Sequence, residues 1–230
     1  MISKIKTILI VLVVISIAIL GIFFVQDRTK KLEDRKYKEI ESLNIYADSA
    51  NINIYRSTDE QVRVVIYGTK NDTVEIIEGT RYLNISKTTG KNRCFLNCKN
   101  ELDIYVPEGF QNIIIKSDIG NITTENVSIN NLSITTDVGN VTIDKVNVIN
   151  VNSNVGNVVI KEINGTNNSS IKTDVGNVNI DKIINLKLAA KSETGSVVIP
   201  VIKEELQFTL NIETNIGNID INSHEVKSEW

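Results

Sequence analysis

Two cysteines are the residues of this chain whose type and spacing suggest a specific chemistry most directly. Cys94 and Cys98 are the only cysteines among the 230 residues. Along an extended strand, residues four apart are separated by about 13 Å, too far for a disulfide, whereas a loop can bring them together. A metal site needs two further soft ligands, and His224, the single histidine, is remote in sequence. The spacing therefore favours a local disulfide, which forms in an oxidising compartment.

Acidic residues recur at one position of a short repeated sequence motif. Asp118, Asp137 and Asp174 each stand two residues before a glycine, and the other copies carry Asn154, Glu193 and Asn215 there. Such a column of side chains could bind calcium or a sugar, but the calcium-binding Gly-Gly-x-Gly-x-Asp repeat is absent. The alternative is structural, with each Asp or Asn bonding the backbone of its own turn. Because asparagine interrupts the column, we favour the structural interpretation.

Nothing else in the sequence indicates catalysis. The β-helical enzymes that cleave polysaccharides need clustered carboxylates or a basic proton acceptor in a groove, whereas the repeat offers Thr, Asn, Lys and Ser. There is no nucleophile elbow, phosphate loop or zinc motif. A net charge of −3 gives nucleic-acid binding no electrostatic support. We therefore predict a protein that is not an enzyme and uses no cofactor or metal, with a glycan-processing enzyme as the more distant alternative.

The repeated motif that carries the acidic residues also predicts the fold. Its glycines recur about every 20 residues, which is typical of stacked repeats. Between them, apolar residues alternate with polar ones, and this pattern predicts strands. The alternation changes phase at Gly-Asn, where glycine adopts positive φ freely and asparagine tolerates it, so we predict a corner there. The expected fold is all-β: a parallel β-solenoid, similar to a β-helix, with coils of about 20 residues.

Stacked coils should place equivalent residues above one another. We expect Val138, Val155 and Val175 to form one inward column, and we expect a second corner at Asp144-Lys145. The Gly-Asn corners should also stack into a turn ladder, in which Ser196 replaces one asparagine and should interrupt the column of side chains. The predicted turn ladder consists of Gly120, Asn121, Gly139, Asn140, Gly156, Asn157, Gly176, Asn177, Gly195, Gly217 and Asn218.

The amino-terminal segment differs from the rest in composition. Residues 7–25 are almost entirely apolar and long enough to span a bilayer as a transmembrane helix. No small-residue cleavage site follows, which favours an uncleaved signal anchor over a removable signal peptide. Basic residues flank both sides, so the positive-inside rule alone leaves the orientation open. The short amino-terminal tail favours an inside amino terminus and an extracytoplasmic carboxy-terminal domain.

Composition divides the chain into five segments. They are the anchor at 1–26, a charged juxtamembrane stalk that is helical in part at 27–42, an N-terminal β capping region at 43–112, the regular repeats at 113–222, and a tail at 223–230.

Two consecutive segments carry a resemblance to a known family. Residues 102–109 read Leu-Asp-Ile-Tyr-Val-Pro-Glu-Gly, and residues 117–122 read Ser-Asp-Ile-Gly-Asn-Ile. This order resembles the bacterial "putative adhesin" family of β-strand-repeat domains, in which a strand ending in Val-Pro-Glu precedes Ser/Thr-x-x-Gly-Asp/Asn-Val/Ile units. The match covers residues 43–221, with Gly-Asn in place of the commoner Gly-Asp. The resemblance implies an envelope-located β-solenoid without established enzymatic activity, and it transfers no site residues.

Together these observations predict a membrane-anchored, extracytoplasmic β-solenoid that acts as a non-catalytic, adhesin-like binding module at the bacterial cell envelope. Its expected partners are the membrane, through the single anchor, and envelope glycans or surface proteins. Some relatives lie near genes for envelope-stress sensing, so the resemblance also implies an alternative role as an accessory of such a signalling system.

Overall fold

A computed structural model describes Ser16 and residues 29–90, 99–165, 167–184, 187–199, 202–203 and 209–221. Apart from Ser16, the predicted anchor lies outside these residues, and so do Cys94, Cys98 and the tail at 223–230. Within the described part of the chain, no helix has the length and apolar character needed to cross a membrane.

Strands make up most of the described chain. In order they are β1 Lys30–Tyr37, β2 Ser42–Ser49, β3 Asn51–Arg56, β4 Val62–Gly68, β5 Thr73–Glu78, β6 Tyr82–Thr88, β7 Glu101–Val106, β8 Phe110–Ile119, β9 Ile122–Glu125, β10 Ser128–Val138, β11 Val141–Val155, β12 Val158–Asn164, β13 Asn168–Val175, β14 Val178–Ile184, β15 Lys187–Thr194, β16 Val197–Ile199, β17 Ile202–Lys203, β18 Thr209–Ile216 and β19 Ile219–Ile221.

Two stacks of parallel strands form the solenoid. The first runs β6–β2–β8–β10–β11–β13–β15–β18. The second runs β7–β3–β9–β11–β12–β14–β16–β19, with β17 also paired to β14. The long strand β11 belongs to both stacks because it continues from one into the other. The predicted all-β, parallel solenoid is confirmed.

Aliphatic columns between the two stacks form the core. Ile134 lies beside Ile115 on one neighbouring strand and Val151 on the other, and all three are buried. Val141 and Ile143 are equally buried on the second stack. Burying such a side chain contributes about 1.5–3 kcal/mol, and parallel register lets each residue share its column with the next coil.

The region expected to cap the amino-terminal end, 43–112, is only partly a cap. Strands β2 and β3 form a coil in register with β8 and β9, and β6 and β7 lie in register on its other side. The coil that comes first in the chain is therefore the second one along the solenoid axis. The cap itself consists of antiparallel strands, with β1 paired to β4, β4 to β7 and β5 to β6.

Over the described residues 29–42, the part-helical structure expected for the stalk is wrong. Lys30–Tyr37 is strand β1, which pairs with β4 along its length. The pairing satisfies the backbone groups of β4, which would otherwise form an open edge. Arg63 on β4 also donates to Asp34 on β1, with 2.8 Å between Nε and Oδ1. These charged side chains lie on the outer face, so the charge pattern that suggested a juxtamembrane stalk belongs to an edge strand.

The valine column exists, but its predicted inward orientation is wrong. Val138, Val155 and Val175 are paired in register, yet each is nearly half exposed. The last inward position before the corner is a hydroxyl residue two places earlier, such as Thr173, which is fully buried. Its Oγ1 donates to the carbonyl of Gly156 in the preceding coil at 3.1 Å. Ser192 and Thr214 make the same bond, whereas Ser117, Thr136 and Ser153 have no partner for their hydroxyls among the described residues, so the bond explains the Ser/Thr of the later coils only.

The Gly-Asn corners are joined by a ladder of hydrogen bonds between coils. The Oδ1 of Asn140 accepts the backbone N–H of Asn157 at 2.9 Å, and the Oδ1 of Asn157 accepts that of Asn177 at 2.8 Å. Ser196 does not break the ladder: its N–H donates to Asn177 Oδ1 at 2.8 Å, and its own Oγ accepts the N–H of Asn218 at 3.3 Å. At Asp144-Lys145 strand β11 is continuous, but the inward phase shifts and β11 passes from pairing in the second stack to pairing in the first, as the predicted second corner requires.

Candidate functional site

The outer face of the first stack carries short, mostly polar side chains in rows that cross the strands. Strand pairing brings equivalent outward residues side by side, about 4.8 Å apart. One row consists of Asn84, Asn44, Ile114, Ser133, Asn150, Ser170, Ala189 and Asn211. Because these side chains are short, the face is a shelf on which an extended ligand can lie across several coils.

A cleft of about 390 Å³ lies at the cap end of this shelf, and we call it the Tyr46 cleft. Tyr46, Ile77 and Ile114 give it an apolar surface, and they are 40%, 50% and 45% exposed. The cap strand β5 supplies Ile77 and Glu75 and so forms one wall. Large apolar side chains exposed together in a concave surface with a polar rim are characteristic of binding sites.

The polar groups of the cleft are suited to hydrogen bonding. Asn44 Nδ2 donates to Asn84 Oδ1 at 2.7 Å, and within the described ranges the Oδ1 of Asn44 and the Nδ2 of Asn84 have no protein partner and are open to a ligand. The hydroxyl of Tyr46 donates to Asp118 Oδ2 at 3.4 Å, and the charge of that carboxylate raises the pKa of Tyr46. The tyrosine therefore stays neutral at physiological pH and presents its ring beside an amide acceptor and an amide donor.

Two further depressions continue the cleft along the shelf. One, of about 420 Å³, shares Asn44 and Ile114 with the Tyr46 cleft and extends to Asn131. The other, of about 660 Å³, shares Val148 and Asn150 with the 420 Å³ depression and reaches β18. Since each depression shares residues with its neighbour, the three form one groove across the first stack.

The acidic column predicted from the sequence lies at the corner edge of this shelf. Asp137 Oδ1 accepts a hydrogen bond from Asn154 Nδ2 of the next coil at 2.9 Å. Asp174 pairs with Lys172 on its own strand at 2.9 Å. The hydrogen bond to Asp137 thus comes from a neighbouring coil and not from the backbone of its own turn. Throughout the ranges that the structure describes, no group of three or more His, Cys, Asp or Glu side chains could hold a metal.

Aromatic and charged residues near the cap on the second stack are paired with one another. The rings of Tyr55 and Tyr105 stack with 5.3 Å between centroids, and the Arg63 guanidinium lies 5.7 Å from the Tyr105 ring. Lys99 lies 3.8 Å from the centre of the Tyr67 ring. These contacts join β3, β7 and β4, so we assign this cluster to the stability of the cap and not to ligand binding.

Sequence reasoning missed the Tyr46 cleft because its walls are distant in the chain. Strand pairing brings together Asn44, Ile114 and Asn84 only because β2 lies between β6 and β8. One local signal was available: Ile113, Ile114 and Ile115 are consecutive, so the middle one must face outward in a strand with alternating burial.

Comparisons with known proteins agree with this architecture. The family model described as Toastrack DUF4097 matches residues 40–229. No curated protein matches the chain. A solved structure of a "putative adhesin" from Bacteroides fragilis is 23% identical, covers 83% of this chain and 97% of its own, and superposes with a TM-score of 0.53. This likeness shows a shared fold.

Two further solved structures are more distant. A "putative cell adhesion protein" from Clostridium sporogenes is 15% identical, with 85% of this chain and 100% of that chain covered and a TM-score of 0.45. A "putative adhesin" from Parabacteroides distasonis is 14% identical, with 85% and 98% covered and a TM-score of 0.44.

Proposed function

The chain belongs to the Toastrack DUF4097 family, and from that premise we propose that its solenoid is a non-catalytic, adhesin-like binding module. Its ligand occupies the Tyr46 cleft and the groove that continues from it. The observation that carries this proposal is the group of three large apolar side chains, Tyr46, Ile77 and Ile114, exposed together beside free amide groups.

The composition of the cleft supports binding without turnover. Glu75 is the carboxylate among the residues that line it, whereas glycoside cleavage generally uses a pair of carboxyl groups on either side of the bond. Lys116 is the lining cation and stands on the next row of the shelf. Apolar surface provides the free energy of association, at about 25 cal/mol per Å² buried, and the amides fix the orientation of the ligand.

The ligand class that we propose is an envelope glycan or a surface protein. Support comes from the groove, whose rows repeat at the strand spacing and can contact a long molecule at several coils. The description of the Bacteroides fragilis structure as a "putative adhesin" agrees with such a role.

Replacing Tyr46 by alanine should weaken binding by about tenfold or more, because truncation of an aromatic anchor at the centre of a binding site costs about 2 kcal/mol or more. Full-length protein in mild detergent is applied to an array of envelope glycans and surface proteins, and the affinity of each ligand found is then measured with the variant. The matched control is Tyr82→Ala, since Tyr82 is 44% exposed but does not line the cleft. Equal losses for both variants, or no effect of Tyr46→Ala, would show that the ligand binds elsewhere.

Anchoring in the membrane by residues 7–25, with the solenoid outside the cytoplasm, is also part of the proposal. Its support is the apolar run itself, which has the length of a bilayer span. We expect protease added to intact cells to degrade the solenoid. If degradation requires lysis of the cells, the outward placement is wrong.

A further inference from the structure

A ridge of aliphatic side chains lies exposed along the Gly-Asn corner of the solenoid. Strand pairing aligns its members coil by coil: Ile119, Val138, Val155, Val175, Thr194 and Ile216. The exposed fractions of the five aliphatic residues are 51%, 46%, 46%, 49% and 69% in that order. We call this column the corner ridge. It spans five inter-strand steps, or about 24 Å, and it is separate from the Tyr46 cleft.

Two polar columns of opposite hydrogen-bonding character border the corner ridge. The residue before each ridge residue is Asp118, Asp137, Asn154, Asp174, Glu193 or Asn215, so this side of the ridge is rich in acceptors. The second column stands two residues after the ridge residue of each coil and consists of Asn121, Asn140, Asn157, Asn177 and Asn218, with Ser196 in the remaining coil.

The asparagine column offers side-chain Nδ2 donors for a further contact. In the ladder Asn121, Asn140, Asn157 and Asn177 each use Oδ1, which accepts an N–H from the next coil, as Asn140 does from Asn157 at 2.9 Å. In the part of the chain that the structure describes, the Nδ2 groups of Asn140, Asn157 and Asn177 donate to no protein group. On the opposite side, Asp137 accepts a bond at Oδ1, and its Oδ2 has no partner among the residues described.

From these columns we propose that the corner ridge is the contact between two copies of this chain, which lie side by side and parallel. A two-fold axis parallel to the ridge brings ridge against ridge and places the acidic column of one copy opposite the asparagine column of the other. Carboxylate oxygens then accept from the free Nδ2 groups, coil by coil.

The antiparallel arrangement is less favourable. A two-fold axis perpendicular to the ridge at its midpoint sets the Nδ2 donors of one asparagine column against those of the other, and in the acidic column it sets Asp137 opposite Glu193. Like charges placed opposite each other at an interface are unfavourable. The parallel dimer also directs both amino-terminal ends the same way, which is compatible with two anchors in one membrane. The inference does not depend on what the Tyr46 cleft binds.

The contact is narrow, three side-chain columns wide, and therefore smaller than a standard interface of about 800 Å² per partner. We expect a weak dimer that cross-linking captures. In the full-length protein, with Cys94 and Cys98 left in place, the variants Ile119→Cys, Val155→Cys and Ile216→Cys are oxidised mildly and their disulfides identified by mass spectrometry. Each cysteine meets its own equivalent in the parallel dimer, so all three should form symmetric cross-links.

The matched control is Ile114→Cys, because Ile114 is 45% exposed on the shelf and lies outside the proposed contact. Only random encounters between two copies would cross-link this cysteine, so its yield should be at least about tenfold lower. A symmetric cross-link at only one of the three ridge positions would indicate the antiparallel arrangement and overturn the proposal. Absence of all three, or equal yield at Ile114, would overturn it as well.

A charge exchange tests the register of the polar columns. In the Val155→Cys background, Asn140→Asp with Asn177→Asp keeps an oxygen acceptor for each ladder bond but sets carboxylates against Asp137 and Asp174 of the second copy. The cross-linking rate should fall by about tenfold. Adding Asp137→Asn and Asp174→Asn exchanges the two columns and should restore the rate. Failure of this restoration would contradict the parallel arrangement.

Discussion

The variant Gly156→Ala should lower the free energy of unfolding of the solenoid by about 4 kcal/mol or more. Gly156 has φ of 155°, and a Cβ added there would lie 2.0 Å from the carbonyl oxygen of Gly139 in the preceding coil. Neither backbone can move away freely, because Gly139 N–H donates to Val155 O and Gly156 N–H to Val175 O, both at 2.9 Å. Alanine would therefore force neighbouring coils apart at a corner.

The matched control for this variant is Gly109→Ala. Gly109 also has positive φ, at 70°, but a Cβ there would meet nothing within 4 Å. Its replacement should cost only about 1 kcal/mol, the usual penalty for alanine in the left-handed region. Urea unfolding followed by circular dichroism measures both. If the two variants lose similar stability, Gly156 is not required for the close stacking of the corners.

Loss of the buried ion pair under the cap should have the second large effect. Lys87 and Asp72 are 0% and 1% exposed, and Nζ lies 3.0 Å from Oδ2. Burial alone would raise the pKa of Asp72, but hydrogen bonds from Gly90, Thr69 and Lys87 outweigh it and lower that pKa. Lys87→Met would leave the carboxylate buried without its counter-charge, at a cost of about 3–5 kcal/mol near neutral pH.

The pH dependence of this loss separates electrostatics from packing. Asp72 has a lowered pKa in the folded protein, so its stabilising contribution is present above the unfolded value, about 3.9, and disappears as pH falls through the folded value. Without Lys87 the carboxyl protonates at higher pH, so the gap between wild type and Lys87→Met should narrow towards pH 3. Urea unfolding at several pH values measures this, and a gap independent of pH would contradict the electrostatic explanation.

A surface pair provides the control for the lysine variant. Lys172 and Asp174 are each 45% exposed at a similar distance of 2.9 Å. Solvent screens such pairs, so Lys172→Met should cost less than about 1 kcal/mol.

The regular coils could be predicted from the sequence because each carries its own local signals. Alternation predicts the strands, and Gly-Asn predicts the corner where one strand ends. The orientation of Val138 could not be predicted in this way, because Asp137 and Val138 both face outward as the chain enters the corner and Thr136 takes the inward place. The alternation rule gives no information about a position where the strand is already turning.

The amino-terminal half was harder to predict because its pairing is not local. Ala50 replaces the corner glycine in the coil of β2 and β3, and its N–H still donates to Ile119 O at 3.0 Å. Nothing in the strand pattern shows that this coil lies between β6 and β8, and the Tyr46 cleft depends on that order. Residues 30–37 are predicted to be part of a charged stalk because an edge strand can carry charge on its exposed face, and the sequence alone does not distinguish the two.

The order of strands along the first stack is the claim on which the cleft, the ladder and the corner ridge all depend. Nitroxide labels on unnatural side chains, in pairs at Asn44 with Ser170 and Asn44 with Asn211, allow it to be measured by pulsed electron resonance in spin-diluted samples. Four and six inter-strand steps predict backbone separations of about 19 Å and 29 Å. An added label at Asn84 should lie one strand farther from Asn211 than Asn44 does, at about 34 Å. Distances that do not increase by one strand spacing per step, or that place Asn84 nearer to Asn211 than Asn44, would contradict the account.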